Sequence, residues 1–157
     1  SAEICYGSKT GVNGADILLG DNDTLRIGSV IITALHTPGH TSGCTSYYVD
    51  GYIFTGDTLF IEGTGRTDFQ EGSSENTYHS IRNKIFKFPN DTVVYPGHNY
   101  KGLTSSTIEY ERKYNPNVGD SIKVDDYIKR EKNMNRPYPK KFDVAVPANL
   151  LCGKIDK

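Results

Sequence analysis

The stretch from Leu35 to Asp57, LHTPGHTSGCTSYYVDGYIFTGD, constrains the fold more than any other part of the chain. Asp50-Gly51 separates two runs rich in aromatic and β-branched residues, Cys44 to Val49 and Tyr52 to Thr55. Both turn residues tolerate the positive φ of a tight two-residue turn, so the pattern reads as an antiparallel hairpin. Centred on Asp50-Gly51, the hairpin pairs Tyr48 with Ile53 and brings Asp57 opposite Cys44. Facing residues have Cα atoms about 4.5–5.5 Å apart. The turn from Gly39 to Gly43 then folds His40 back toward the Asp57 carboxylate. A histidine and an aspartate held at one end of a hairpin make half of a metal site or an acid–base pair.

The flanking segments fit around this hairpin. Ser1 to Gly20 is dotted with glycine and reads as loop and weak strand. Thr24 to Ile27 and Val30 to Leu35 are two strand-like runs joined by Gly28-Ser29, a second two-residue hairpin. Ile61 to Ser74 reads as a long loop carrying Arg66 and Asp68 between glycines, and loops of that length inside a compact domain are commonly functional. Ser73 or Ser74 caps a helix with Glu75 in its first turn. Tyr78, Ile81, Ile85 and Phe88 line one face of that helix, and Pro89 ends it. Thr92 to Tyr95 is a short buried strand. A second helix is expected from a cap at Thr104 or Ser105 to Tyr114, and a third from Val124 to Met134. The tail from Arg136 reads as an extended arm packing through Phe142, Val144 and Val146.

Pro-Gly-His occurs twice, at Pro38-Gly39-His40 and Pro96-Gly97-His98, each time closing a strand. Proline stops the ladder and glycine frees the backbone to aim the histidine, so one shared site is expected. Of the four histidines, His79 reads as a helix-surface residue and His36 as a hydrogen-bonding structural one. His40, Asp57 and His98 are either polar turn residues satisfied by backbone groups or a donor set suited to zinc, iron or manganese. Cys44 is placed near them, with a small buried thiol as its simpler role.

The totals bound the rest. The 157 residues suit a single domain with a real core. Eighteen basic and nineteen acidic residues nearly cancel, which gives no support for nucleic acid or an anionic membrane as partner. No apolar run reaches membrane-spanning length. Three widely spaced cysteines argue against a disulfide framework and for a reducing, intracellular compartment. The chain begins at Ser1 and its single methionine is Met134, as expected of a processed or cut product.

The order Thr-Pro-Gly-His-Thr, Phe-Thr-Gly-Asp, Gly-Arg-Thr-Asp-Phe-Gln and Tyr-Pro-Gly-His-Asn-Tyr resembles the metallo-β-lactamase superfamily. Within it, the Gly65–Phe69 box and the tail Phe-Asp-Val-Ala-Val-Pro-Ala-Asn with Cys152-Gly153 resemble the persulfide dioxygenases. That resemblance implies an α/β fold, the αβ/βα sandwich of two mixed sheets flanked by helices. It implies oxidation of glutathione persulfide by dioxygen to sulfite and glutathione at a mononuclear non-haem Fe(2+), with Zn(2+) as the alternative metal. By position, His40 and Asp57 match two of three metal ligands. His98 matches a histidine that either binds a second metal or supports the first site from behind. Tyr100 is expected to face the pocket as a catalytic group, and Arg66 and Arg112 to hold or support glutathione; the alternative for both is structural ion pairing, with Arg66 bracing its loop through Asp68. Such proteins are often mitochondrial, so the resemblance implies an intracellular location, mitochondrial or cytoplasmic. The rival readings are a glyoxalase II-type thiolester hydrolase with a binuclear site, and an inactive fragment.

The superfamily's His-x-His-x-Asp-His motif does not occur in this sequence. Residues 1–157 are therefore expected to form the C-terminal portion of a single metallo-β-lactamase-like domain, an incomplete sandwich without its N-terminal half. The third ligand would come from the missing half. A homodimer, or pairing with the missing segment, is expected.

Overall fold

A computed structural model describes residues 2–153. Its centre is a six-stranded mixed sheet. The first pair, β3 (Thr24–Ile27) and β4 (Val30–His36), is joined through Gly28-Ser29 in the expected register, Ile27 opposite Val30. Next come β5 (Thr45–Val49) and β6 (Tyr52–Gly56), and beyond them β9 (Val93–Pro96) and β10 (Ser106–Thr107), in the order β10-β9-β6-β5-β4-β3. Asp50 and Gly51 both have positive φ, 47° and 82°, and Tyr48 faces Ile53 as the hairpin pattern requires. The expected Asp57–Cys44 opposition is not a ladder pair, because regular pairing of β5 with β6 ends at Tyr47 and Phe54. A register shift on β6 between Phe54 and Gly56, with Gly56 at φ 51°, turns Asp57 toward β9 instead.

β6 and β9 are the one parallel pair in this sheet, since the chain between them crosses over through helix α1 (Ser74–Asn83) and a 3-10 turn (Ile85–Lys87). Ser73 caps α1 by accepting a hydrogen bond from the Asn76 N–H, as the sequence indicates. Ile81 and Ile85 are fully buried against Leu35, Ile53 and Val94, with Tyr78 and Phe88 packed alongside. Each such aliphatic side chain contributes about 1.5–3 kcal/mol by leaving water. Helix α3 (Val124–Lys132) closes the core through Tyr127, which is wholly buried. Burial pushes the Tyr127 hydroxyl up to about 12, and it is hydrogen-bonded to the Thr64 Oγ1 at 3.0 Å.

Within Ser1 to Gly20, read as loop and weak strand, β1 (Cys5–Gly7) and β2 (Ile17–Leu19) form a short parallel pair. Three expectations need correction. The stretch Ile61 to Ser74 is not loop throughout: β7 (Leu59–Phe60) and β8 (Gly63–Thr64) form a tiny hairpin with Glu62 at φ 53°. Helix α2 (Ile108–Tyr114) is capped by Thr107 rather than Thr104 or Ser105, because Ser106–Thr107 first pairs with β9. The tail is not an extended arm. It forms helix α4 (Phe142–Leu150), with Pro147 inside it, where Phe142 meets Phe69 and Tyr138 at ring-centroid distances of 5.0 and 5.5 Å.

The two faces of the sheet differ. Leu35, Ser46, Tyr48, Ile53 and Val94 share the face covered by the helices. The opposite face presents Ile27, Val30, Tyr47, Tyr52, Phe54 and Tyr95. There Phe54 stacks on Tyr95 at 5.5 Å, while Ile27 is 60% exposed and Tyr52 and Phe54 are each 45% exposed. β1 covers one part of this face, with Gly7 directly on the Thr45 side chain. An apolar sheet face left open favours association. At micromolar concentration the 157-residue chain is expected to self-associate, and replacing Phe54 and Ile27 by threonine to reduce it, as measured by sedimentation velocity.

Glu111 on α2 anchors the turn after β7 from within the core. Its Oε2 accepts hydrogen bonds from the Glu62 N–H at 2.9 Å and from the Asn115 amide at 2.8 Å. Burial raises the Glu111 carboxyl above its ordinary value, so the folded state prefers the neutral form. That preference is satisfied at low pH and turns into a penalty as pH rises past about 4.5, the ordinary glutamate value. Glu111→Gln keeps an acceptor for both donors without the charge and is expected to gain stability relative to wild type as pH rises from 4 to 7. Glu111→Ala leaves the Glu62 N–H unpaired, while the Asn115 amide keeps the Gly63 carbonyl at 3.1 Å, and should cost about 1–3 kcal/mol. Urea denaturation across that pH range measures both.

Candidate metal centre

Three side chains meet at the edge of the sheet where β6 and β9 end. Asp57 follows β6, His98 follows β9, and His40 follows the Pro38-Gly39 turn after β4. Helix α1 holds that turn at two points: the Ser73 N–H donates to the Gly39 carbonyl at 2.8 Å, and the Ser80 hydroxyl donates to the Pro38 carbonyl at 2.7 Å. On the other side the Gly97 N–H donates to the Gly56 carbonyl at 2.8 Å. A Cβ at Gly97 would lie 2.7 Å from the Asp57 Oδ1, so only glycine permits this approach.

The Asp57 carboxylate lies between the two histidines. Its Oδ2 is 3.6 Å from the His40 Nε2, and its Oδ1 is 2.6 Å from the His98 Nδ1. The His40 Nδ1 is 2.7 Å from the Arg66 carbonyl oxygen, a partner that can only accept. The ring is thereby fixed as the Nδ1–H tautomer, and the Nε2 lone pair is directed at the space beside Asp57. A metal-binding histidine commonly has this support. His40 and Asp57 are about three-quarters buried, whereas His98 is more exposed and lies edge-on to Phe60.

A cavity of about 620 Å³ opens beside these groups, lined among others by His40, Asp57, Cys5, Cys44, Tyr47 and Leu150. Sequence reasoning placed His40, Asp57 and Cys44 here. It missed Cys5 and Leu150, whose segments read as loop with weak strand and as extended arm, and whose approach depends on contacts distant in sequence. Cys44 is 3.2 Å from the Thr41 hydroxyl.

The remaining candidates are placed elsewhere. The Tyr100 ring lies parallel to that of His98 at 6.1 Å and is 84% exposed, outside the cavity lining. The Arg112 guanidinium pairs with Asp120 at 3.0 Å, close to Asn90 before β9, and so sits at the opposite end of the strand from His98. The Arg66 side chain is bound to Asp68 and to the Pro137 carbonyl. His36 is hydrogen-bonded to the Ser42 carbonyl at 2.9 Å, and His79 is exposed beside Tyr78.

A mixed sheet with helices on one face and a His–Asp pair at the strand ends defines a metallo-β-lactamase-type fold. Residues 5–98 match the metallo-beta-lactamase superfamily, and the chain belongs to that superfamily. It is 43% identical over 141 residues to the mitochondrial persulfide dioxygenase ETHE1 of Mus musculus, a match covering 88% of this chain and 55% of the mouse protein. The crystal structure of ETHE1 from Myxococcus xanthus superposes with a TM-score of 0.93 at 39% identity, covering 97% of this chain and 67% of that one. The cytoplasmic hydroxyacylglutathione hydrolase of Arabidopsis thaliana is 41% identical over 124 residues, 74% of this chain and 46% of that protein. The chain thus spans about half the length of the mouse and plant relatives.

Membership of this superfamily implies a metal cofactor. Among the described residues no set of three or more His, Cys, Asp or Glu side chains is arranged to hold a metal ion. The His40 Nε2 and the Asp57 Oδ2 nevertheless fit as a pair. Donors each about 2.0–2.2 Å from one cation lie within about 4.4 Å of each other. Two donors hold a cation weakly. Iron retained through purification is expected to fall well below one per chain by atomic absorption. His40→Ala and Asp57→Ala should abolish calorimetric Zn(2+) binding, His98→Ala should weaken it about tenfold, and His79→Ala should leave it unchanged.

Proposed function

We propose that the chain carries part of the active centre of a persulfide dioxygenase, the complete protein converting glutathione persulfide, dioxygen and water into glutathione, sulfite and two protons. The terminal sulfur loses four electrons in this reaction and dioxygen gains four. The observation that carries the reading is the convergence of the His40 Nε2 and the Asp57 Oδ2 on the cavity mouth, in a chain 43% identical to a persulfide dioxygenase. Fe(2+), held by His40 and Asp57, would supply the redox chemistry that brings sulfur and dioxygen together; Zn(2+) is the alternative occupant of the same donors.

The protein's own groups have separable tasks. The Arg66 carbonyl keeps the His40 Nδ1 protonated, so that Nε2 stays available as a donor. The His98 Nδ1 engages the Asp57 Oδ1 and leaves Oδ2 to face His40. Cys5, Tyr47, Cys44 and Leu150 wall the cavity, which is large enough for the thiol end of a glutathione-type substrate. Burial raises the Tyr47 hydroxyl, with Cys5 and Tyr6 adding to it, so Tyr47 lines the cavity as a neutral phenol at neutral pH. Tyr100 and Arg112 take no part in this reading, given their positions.

The second reading, thiolester hydrolysis of the glyoxalase II type, is favoured by the likeness to the Arabidopsis thaliana hydrolase. A second cation at His98 would have to use its Nε2, since its Nδ1 is engaged by Asp57 at 2.6 Å. Mitochondrion or cytoplasm is proposed as the compartment, in line with the names of the relatives. Oxygen-electrode assay of the anaerobically iron-reconstituted protein with glutathione persulfide, beside ultraviolet assay of S-lactoylglutathione hydrolysis, separates the two. Oxygen uptake without hydrolysis is expected, with both His40→Ala and Asp57→Ala lowering it at least a hundredfold. Hydrolysis without oxygen uptake would establish the second reading.

A further inference from the structure

Arg66 has the residue type and the location expected of a substrate clamp, yet each of its three guanidinium nitrogens already has a partner within the protein. Its Nε donates to the Asp68 Oδ1 at 2.7 Å and its Nη2 to the Asp68 Oδ2 at 2.8 Å, a bidentate pair. Its Nη1 donates to the Pro137 carbonyl at 3.0 Å. The guanidinium carbon lies 4.4 Å from the centre of the Phe69 ring, which packs in turn against Tyr138 and Phe142. The pair holds the Asp68 carboxyl below the usual carboxylate range, with the Arg66 hydrogen bonds as the largest cause. A substrate carboxylate would have to displace Asp68 to take the Nε–Nη2 edge of the guanidinium, which Asp68 already fills.

The functional end of Arg66 is its backbone. The carbonyl oxygen of the same residue accepts the His40 Nδ1–H at 2.7 Å. The preceding Gly65 lies against the Asp57 carbonyl and the His40 ring, where a Cβ would collide with the Asp57 oxygen, so the peptide plane at Arg66 is confined from one side by the metal centre. On the other side, the guanidinium is tied to Asp68 and to residue 137, ahead of the helix whose Leu150 lines the cavity.

We propose that Arg66 is a positioning residue: its side chain, clamped by Asp68, Phe69 and the Pro137 carbonyl, fixes the backbone carbonyl that holds His40 as the Nδ1–H tautomer with Nε2 facing Asp57. The proposal rests on His40 being a ligand for its importance, but its central claim, the tautomer, is read without metal or turnover. A failure of the dioxygenase reading would leave that result untouched.

Long-range proton–nitrogen correlation spectra of the nitrogen-15-labelled chain at pH 8 distinguish the two neutral tautomers of each histidine. His40 is expected as the Nδ1–H form. In Arg66→Ala the His40 signals should shift to a mixture dominated by the Nε2–H form, while those of His36 and His79 stay in place. Zn(2+) affinity should fall about ten- to a hundredfold in the same variant. Arg66→Lys, which keeps the charge and loses the bidentate pair, should recover only part of both effects. Asp68→Asn should produce a smaller change in the same direction. Glutathione added to wild type should leave the Arg66 Nε–H resonance where it is. Unchanged His40 signals in Arg66→Ala would overturn the proposal, as would a glutathione-induced shift of the Arg66 resonance, which would make Arg66 a substrate contact. Loss of folding in all three variants would overturn it in favour of a purely architectural role.

Discussion

The parallel pairing of β6 with β9 is the constraint on which the metal centre depends. Antiparallel neighbours place successive strand ends at opposite edges, so a sheet built only of hairpins would separate Asp57 from His98. The crossover through α1 brings the ends of β6 and β9 to one edge, and the Gly97–Gly56 backbone bond then sets the histidine against the carboxylate. The same helix holds the Pro38-Gly39 turn and so aims His40. One helix thus serves the core through Ile81 and the site through Ser73 and Ser80.

What could be read from the sequence was what neighbouring residues decide. Asp50-Gly51 dictates a turn of defined hand, so the register through Tyr48 and Ile53 was legible, whereas the approach of Asp57 to His40 comes after the register shift at Gly56 and not from a pairing with Cys44. Ser73 followed by Glu75 marked a helix start in the same way. The repeated Pro-Gly-His pointed to His98 without giving its distance from Asp57. Contacts between residues far apart along the chain left no such trace. Nothing in the Gly65–Phe69 box shows that the guanidinium reaches the carbonyl of residue 137, and there the choice between substrate and Asp68 as partner turned on geometry. α4 was missed because Pro147 and the β-branched valines speak against a helix, and aromatic contacts from Phe142 to Phe69 and Tyr138 outweigh them. Arg112 was misplaced for a related reason: its partner Asp120 lies beyond the helix, at the far end of the strand from the metal centre.

The buried polar groups show how the site is braced. Glu111 carries the turn after β7 through the Glu62 N–H, and Tyr127 reaches Thr64 on β8, so the turn and the second strand of that small hairpin are tied to helices. The chain leaves β8 at Thr64 and enters Gly65 and Arg66 directly. Rigidity in the core is thereby passed within two residues to the carbonyl that orients His40. Glu111 and Tyr127 are wholly buried, where an unpaired polar group is costly, and their place behind the hairpin accounts for their presence.

The uneven spacing of the strand connections has a kinetic side. β3 to β4 and β5 to β6 are each closed by two residues, so these contacts are local and their loop-closure entropy is small. The join of β6 to β9 must wait for a crossover of more than thirty residues, including a docked helix. The strand ladder that displays Asp57 can assemble in the early, local part of folding, whereas the meeting of Asp57 with His98 belongs to the late, non-local part. A chain caught between those stages would have nearly all of its hairpins and none of its chemistry.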